Sequence, residues 1–492
     1  MVVSMARLIG ALFREQPRAF HMIFMLEIWE RFGFYTGQGI LVIYFVRVFG
    51  FSDESAYYTF GAFSALIYGM VALGGYLGDR VLGTKRTILL GLIVLALGYF
   101  WLALADKAHI FYALSAICVG NALFKANPSS LLAKCYSKGD KRLHGGFTLY
   151  YMAINLGALA ALLIGPLMSS HYGYPAAFFV SFIGIMLGIL NYYLQRHHIA
   201  HIPSPLDALP VGRWKMVMIF FGILGAIILS NQLLQQVYIA KKIVWVVSLL
   251  VTGIYFGCVF REEKARALRM VVAFILMLEA VAFFVLYQQM PTSLNLFAVN
   301  NVHAVLFGLP LNPQSFQALN PIWIICLSPL LAYFYGFLNK RGVSFQMPYK
   351  FALGMGCCGF SFIVIYFARF FHDDLGMVSS NWLVVSYLFQ SLGELLVSAL
   401  GVAMVAELVP HTISGFVMGM WFLTSSVAGF LGATVASFTA LPTDVSPGLE
   451  SLMIYTKVFA WIGIITLVLA FFLWVIAPQL CRLINSENAV ES

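Results

Sequence analysis

The chain has 492 residues, 61% of them hydrophobic and only 10% charged, with a mean hydropathy of +0.89. Soluble domains carry about 25% charged residues, and a water-facing surface needs roughly 25–35%. A cytosolic enzyme, a disordered chain and a nucleic-acid module are therefore excluded, despite the formal charge of +9. The hydrophobic residues suffice for about fourteen helices of the ~20 apolar residues that cross a bilayer, so the chain reads as a polytopic, all-α membrane protein.

In chain order, apolar runs predict spans near 22–49, 56–78, 86–105, 110–134, 146–169 and 175–195. Two more lie near 214–231 and 243–260, and a last set near 267–290, 320–339, 350–368, 382–408, 412–436 and 453–476. These runs far exceed the ~10 residues of a barrel strand, which excludes a closed β-barrel. The first run follows Arg7, Arg14 and Arg18 and is too long for a signal peptide, so it is expected to stay as a span. The resulting division is a cytoplasmic N-terminus (1–20), a six-helix bundle (21–195), a linker with two extra spans (196–266), a second bundle (267–480) and a cytoplasmic tail (481–492). The seven cysteines show no metal-ligand spacing and read as buried small hydrophobes.

Lysine and arginine crowd alternate loops, at residues 80, 85, 86, then 134, 138, 141, 142, then 261, 264, 266, 269. The opposite loops hold only Arg47, Lys107, Lys241, Lys242, Arg369 and Lys457. The bias predicts that both termini are cytoplasmic and that the net charge serves topology and contact with anionic lipid, not nucleic acid. A faint repeat, Leu26-Glu27-x4-Phe32-x2-Tyr35 against Leu278-Glu279-x4-Phe284-x2-Tyr287, opens each half. That pattern suggests parallel repeats with a substrate site between them.

Ionisable groups within spans cost ~2.5–3.5 kcal/mol each on insertion scales, so each is a functional candidate. Glu27, Glu30 and Arg31 fall at i, i+3 and i+4 of the first span, and Tyr35 and Gln38 continue the stripe. Lys125, in the fourth span, precedes Pro128 by three residues. A buried lysine needs an anionic partner; pairing with Glu30 would make a proton switch, with a purely structural pair as the alternative. Gln390, Glu394 and Ser398 share a face of the tenth span, and Glu394 has no basic neighbour on it, which suits a cationic ligand group. Glu279 reads either as a structural hydrogen-bonding group or as a further functional acid. Phe147, Tyr151 and Asn155 step fourfold along the fifth span, Asn320 opens the eighth, and Tyr68, Tyr287 and Trp421 sit mid-span. There is no phosphate-binding loop, no H-E-x-x-H and no G-x-S-x-G, and all ten histidines lie in loops or at span ends. Neither catalytic nor metal-binding residues are expected.

The stretch Glu27-x-x-Glu30-Arg31-Phe32 resembles the ExxERF motif of the proton-dependent oligopeptide transporter family, a branch of the major facilitator superfamily. The run Gly75–Arg86, with Gly78, Asp79 and Arg80, is similar to the superfamily's conformational loop between spans two and three. Further matching stretches are Gly120–Ser130, Phe147–Gly157, Tyr287–Ser293, Gln317–Pro321 and Gly393-Glu394, so the resemblance covers nearly the whole chain. It implies the major facilitator fold, two six-helix bundles plus two linker spans, and proton-coupled import of di- and tripeptides by alternating access. It also implies no cofactor beyond the proton gradient, tolerance of peptide-like drugs, and a monomer in the bacterial inner membrane. Glu27, Glu30, Arg31 and Lys125 would couple protons, with Lys125 and Arg31 facing the peptide carboxylate. Asn155, Asn320 and Glu394 would hold the amino end, with Tyr35, Tyr68 and Tyr151 around the backbone. Gln38 stands where many members have a second arginine, Ala399 where many have a proline after Ser398, and the second-span histidine of eukaryotic members is absent. These departures bear on how the carboxylate is held and how the tenth span bends. Transport of another solute such as nitrate, and a peptide sensor that moves nothing, are the alternatives.

Overall fold

The computed structural model describes residue 10 and residues 12–137, 139–342, 345–398 and 401–485. Arg7, Lys138, Ala399 and tail residues 486–492, which entered the expectations above, lie outside that set. Continuous apolar runs in lipid must satisfy their own backbone polar groups, which leaves the α-helix as the local solution. Among the described residues, twelve helices are long and apolar enough to cross a membrane, short of the fourteen expected. Two expected spans fall outside those twelve. One is α1 (Arg18–Arg47), about 45 Å long for its 30 residues, with three charges in its middle. The other, near 382–408, contains residues 399 and 400 that lie outside the described set, and its described helices are Asn381–Val397 and Gly401–Leu408.

The chain separates into two units, residues 1–40 with 66–236 and residues 41–65 with 237–492. Unit 1 holds the first part of α1, the end of α2 (Asp53–Gly69), α3 (Val71–Tyr76), α4 (Thr84–Leu104), α5 (Ile110–Lys125) and α6 (Asn127–Ala133). It continues with α7 (Arg142–Tyr172), α8 (Tyr174–Gln195), the short α9 (Pro205–Ala208) and α10 (Arg213–Gln235). The expected conformational loop is itself helical. Leu77–Val81 forms a π-turn that places Gly78, Asp79 and Arg80 in a continuation of α3, with the Leu82 amide donating to the Leu77 carbonyl at 2.8 Å. The chain then reverses at Gly83, whose φ of +100° is open to glycine. The α4 N-terminus has no cap of its own. Asp207 supplies one from α9, its carboxylate accepting from the Lys85 amide at 3.0 Å and the Arg86 amide at 3.2 Å. Arg86 in turn donates to the carbonyls of Leu206, Asp207 and Leu209, so the connection is strapped to the helix it caps.

Unit 2 holds the ends of α1 and α2, α11 (Val237–Val259), α12 (Lys264–Tyr287), α13 (Ser293–Asn301) and a hairpin of β1 (Val305–Leu306) and β2 (Leu309–Pro310). It continues with α14 (Leu319–Lys340), α15 (Met347–Ala368), α16 (Asn381–Val397), α17 (Gly401–Leu408), α18 (Ser414–Ser437) and α19 (Leu449–Ile484). With lipid as apolar as leucine, small residues and polar contacts hold such helices together. Gly61 of α2 and Gly429 of α18 show this: a Cβ on Gly61 would stand 2.6 Å from the Gly429 carbonyl oxygen, and one on Gly429 2.8 Å from that of Gly61. The Ser426 hydroxyl donates to the Ala65 carbonyl at the same crossing, at 2.8 Å. All seven cysteines are free. Cys118, Cys358 and Cys481 are buried as expected, whereas Cys326 is exposed.

Two substitutions probe this architecture by thermal unfolding in detergent. Gly61→Ala forces a methyl group into the α2–α18 crossing and is expected to destabilise by about 1–3 kcal/mol, the usual cost of overpacking. Asp207→Ala removes the α4 cap and is expected to cost about 0.5–2 kcal/mol.

Candidate functional site

The charged face of α1 forms as the fourfold spacing requires. Glu27, Glu30 and Arg31 are all buried. The Arg31 guanidinium bridges both acids, with Nε 3.0 Å from Glu27 Oε1 and Nη2 2.6 Å from Glu30 Oε2. Gly157 lets α7 lie close here, since a Cβ on it would meet the Ile28 carbonyl at 2.6 Å and Arg31 Cβ at 2.8 Å. The approach brings the Tyr150 hydroxyl within 2.6 Å of Glu27 Oε2, to which it donates. Tyr150 was not among the expected residues; its neighbour Tyr151 was. Its signal was spacing, because Gly146, Tyr150, Ala153 and Gly157 make the buried stripe of α7, while Tyr151 is half-buried beside it. Asn155 is buried, and its amide donates to the Tyr151 carbonyl one turn back at 2.9 Å.

Lys125 corrects the expected pairing. Glu30 is bound to Arg31 and not to Lys125. The Lys125 ammonium instead lies over aromatic faces, 3.9 Å from the Tyr68 ring centroid and 5.4 Å from that of Phe34. Such faces attract a cation without neutralising it. Arg31 is also near Phe34, its Cζ 5.3 Å from the ring centroid. Lys125 is positioned by a break between α5 and α6. Pro128 offers no amide to the Phe124 carbonyl, and the Asn127 side chain donates to the carbonyls of Leu123 at 2.7 Å and Gly74 at 3.2 Å. Tyr35 and Gln38 are half-buried farther along α1.

In unit 2, α14 and α16 build the second set. The Asn320 amide, on the first turn of α14, donates to Glu394 Oε2 at 2.8 Å and to the Ser391 hydroxyl at 3.1 Å. Ser391, also unforeseen, returns a bond to the Asn320 carbonyl at 3.3 Å. Its clue was its place three residues before Glu394, on the same helix face. An amide donor orients the carboxylate and leaves its charge in place. Ser398, which follows the last residue of α16, is half-buried. Trp421 is buried against Phe284, ring centroids 5.9 Å apart, and Tyr287 lies 6.2 Å from the Phe283 ring. Glu279 is buried on α12, and its Oε2 has no hydrogen-bond partner. No group of residues with metal-binding potential occurs among the described residues.

The POT family model matches residues 85–458. The chain is 48% identical over 477 residues to dipeptide and tripeptide permease B of Aliivibrio fischeri strain MJ11, covering 96% of both chains. It is 48% identical over 476 residues to the permease of that name from Salmonella typhimurium strain LT2, covering 96% of this chain and 97% of the relative. Among solved structures it resembles a bacterial homologue of the human drug peptide transporters PepT1 and PepT2. The TM-score is 0.84 and the identity 35%, over 95% of this chain and 99% of that one. The paired acids of α1, the amide-held glutamate of α16 and these matches lead to one assignment: the chain has the major facilitator fold and belongs to the POT family.

Proposed function

We propose that this protein is a proton-driven importer of di- and tripeptides that works by alternating access. The observation that carries the reading is the chemical contrast between the charged sets. Unit 1 offers Lys125 on aromatic faces, and unit 2 offers Glu394 held by a neutral amide. A short peptide is a zwitterion, so its carboxylate suits Lys125 and its ammonium suits Glu394. Asn155 and Asn320 add amide groups at the amino end, and Tyr35, Tyr68 and Tyr151 surround the backbone. The names of the relatives support the substrate class.

Coupling follows from the count of charges on α1. Two carboxylates share one guanidinium, and breaking a buried pair is costly while the charges remain. A proton arriving on Glu30 removes one charge and releases Arg31 from that pair, so α1 can then change its contacts. Glu27 stays held by Arg31 and Tyr150. In this arrangement Arg31, not Lys125, is the direct ion-pair partner of Glu30. The reading includes a monomer in the bacterial inner membrane with both termini cytoplasmic, the side to which the crowded basic loops point.

Proteoliposomes with an imposed pH gradient and a labelled dipeptide test this reading. Glu30→Gln is expected to abolish accumulation above equilibrium while counterflow continues; unchanged gradient-driven accumulation would remove Glu30 from coupling. Lys125→Ala, which deletes the cation for the peptide carboxylate, is expected to raise the half-saturating peptide concentration by roughly thirtyfold or more, from the ~2–5 kcal/mol of a buried charge contact. Unlabelled dialanine and trialanine are expected to compete with the label, and tetraalanine is not. Competition by nitrate in their place would assign another solute, and binding without counterflow would indicate a sensor.

A further inference from the structure

Unit 1 contains a cavity of about 580 Å³ bounded by α3, α5 and α10. Its walls include Met70, Leu77, Val119, Leu123, Ile223 and Ala226. The only charged residue among those that line it is Lys215, half-buried one turn into α10. Water gains nothing in such a space, because a buried water needs two to four polar partners. A peptide would leave its backbone groups unsatisfied there. Hydrocarbon fits.

The mouth of the cavity has a different character. Beside Lys215, Arg213 and Trp214 are exposed, Trp214 at 82%. Tyr76 also lines the cavity and is exposed, and Asp79 and Arg80, three and four residues on, are exposed on the π-turn. Three basic groups against one acid, flanked by tryptophan and tyrosine, make the composition that membrane proteins carry at headgroup level. Another face of α10 turns Phe220, Phe221, Leu224 and Leu229 outward, the surface of a helix that faces lipid.

We propose that this groove binds an anionic phospholipid, with an acyl chain along α10 and the phosphate at Lys215. A second apolar cavity, of about 370 Å³, lies beside α11 in unit 2 and is lined by Trp245, Phe274, Leu278 and Val281 among others, with no charged residue. That cavity takes hydrocarbon without a headgroup preference, and so serves as the internal comparison.

The test uses the full-length protein, purified in detergent and stripped of endogenous lipid. It is incubated with equal amounts of phosphatidylglycerol and phosphatidylcholine of identical chains, and bound lipid is counted by native mass spectrometry. The wild type is expected to retain phosphatidylglycerol preferentially. Lys215→Ala is expected to reduce that preference about fivefold, the usual effect of one basic residue at an anionic headgroup, and Lys215→Arg to preserve it. Gly222 lines the groove with open space around it, so Gly222→Leu fills the site without straining the helix and is expected to lose one bound lipid. Equal retention of the two lipids by the wild type would overturn the proposal. So would an unchanged preference in Lys215→Ala, undiminished binding in Gly222→Leu, or a dimer that forms as lipid is lost.

Discussion

The cost of an unpaired charge in hydrocarbon governs this protein. Glu27, Glu30 and Arg31 can occupy the middle of α1 only because one guanidinium reaches both carboxylates within 3.0 Å. Nearby packing serves that arrangement. Gly157 admits α7, α7 carries Tyr150 to the second oxygen of Glu27, and Phe34 lies against Arg31. A buried ion network of this kind is weak evidence of stability, since well-packed apolar residues often do as well.

The second recurring device is the interrupted helix. A regular helix in lipid has no backbone group to spare. At two of this chain's breaks a side chain makes up the loss. Asn127 serves the carbonyls around the α5–α6 break next to Lys125, and Asp207 caps α4 after the turn at Gly83. Past the end of α12, the Gln288 amide donates to Ser64 at 2.6 Å and the Gln289 amide to the Gly432 carbonyl at 3.1 Å. The demands on the two kinds of segment differ for a physical reason. A break needs a particular amide or carboxylate at a particular place, whereas a lipid-facing turn needs only apolar bulk.

Much of the site was legible in the sequence, because charge is scarce in a membrane chain and each instance has few explanations. The Glu27–Glu30–Arg31 face followed from helical spacing, and Asn320 and Glu394 from their isolation in apolar spans. Tyr150 and Ser391 were not legible, since a tyrosine or serine in a span is ordinary and its importance depends on which helix lies opposite. The partner of Lys125 was misassigned for the same reason. Sequence supplied two cations and two acids, but Arg31 on the same helix reaches Glu30 by a local turn, while Lys125 must be carried there from α5. The expected loop at Gly78, Asp79 and Arg80 became a π-turn because its glycines pack against α5 and α6, a contact with no local signature.

By itself, then, the sequence determined the solvent, the helical class and the positions of the chemically active groups. Composition and 3.6-residue spacing act along one chain segment and need no partner. Tertiary structure alone decided the pairings between helices: Tyr150 with Glu27, Asn320 with Glu394, and Lys125 with aromatic faces. It also decided where the helices leave a groove beside Lys215. Those outcomes depend on how closely two distant segments approach, and that distance is set by glycines, breaks and packing on both sides at once.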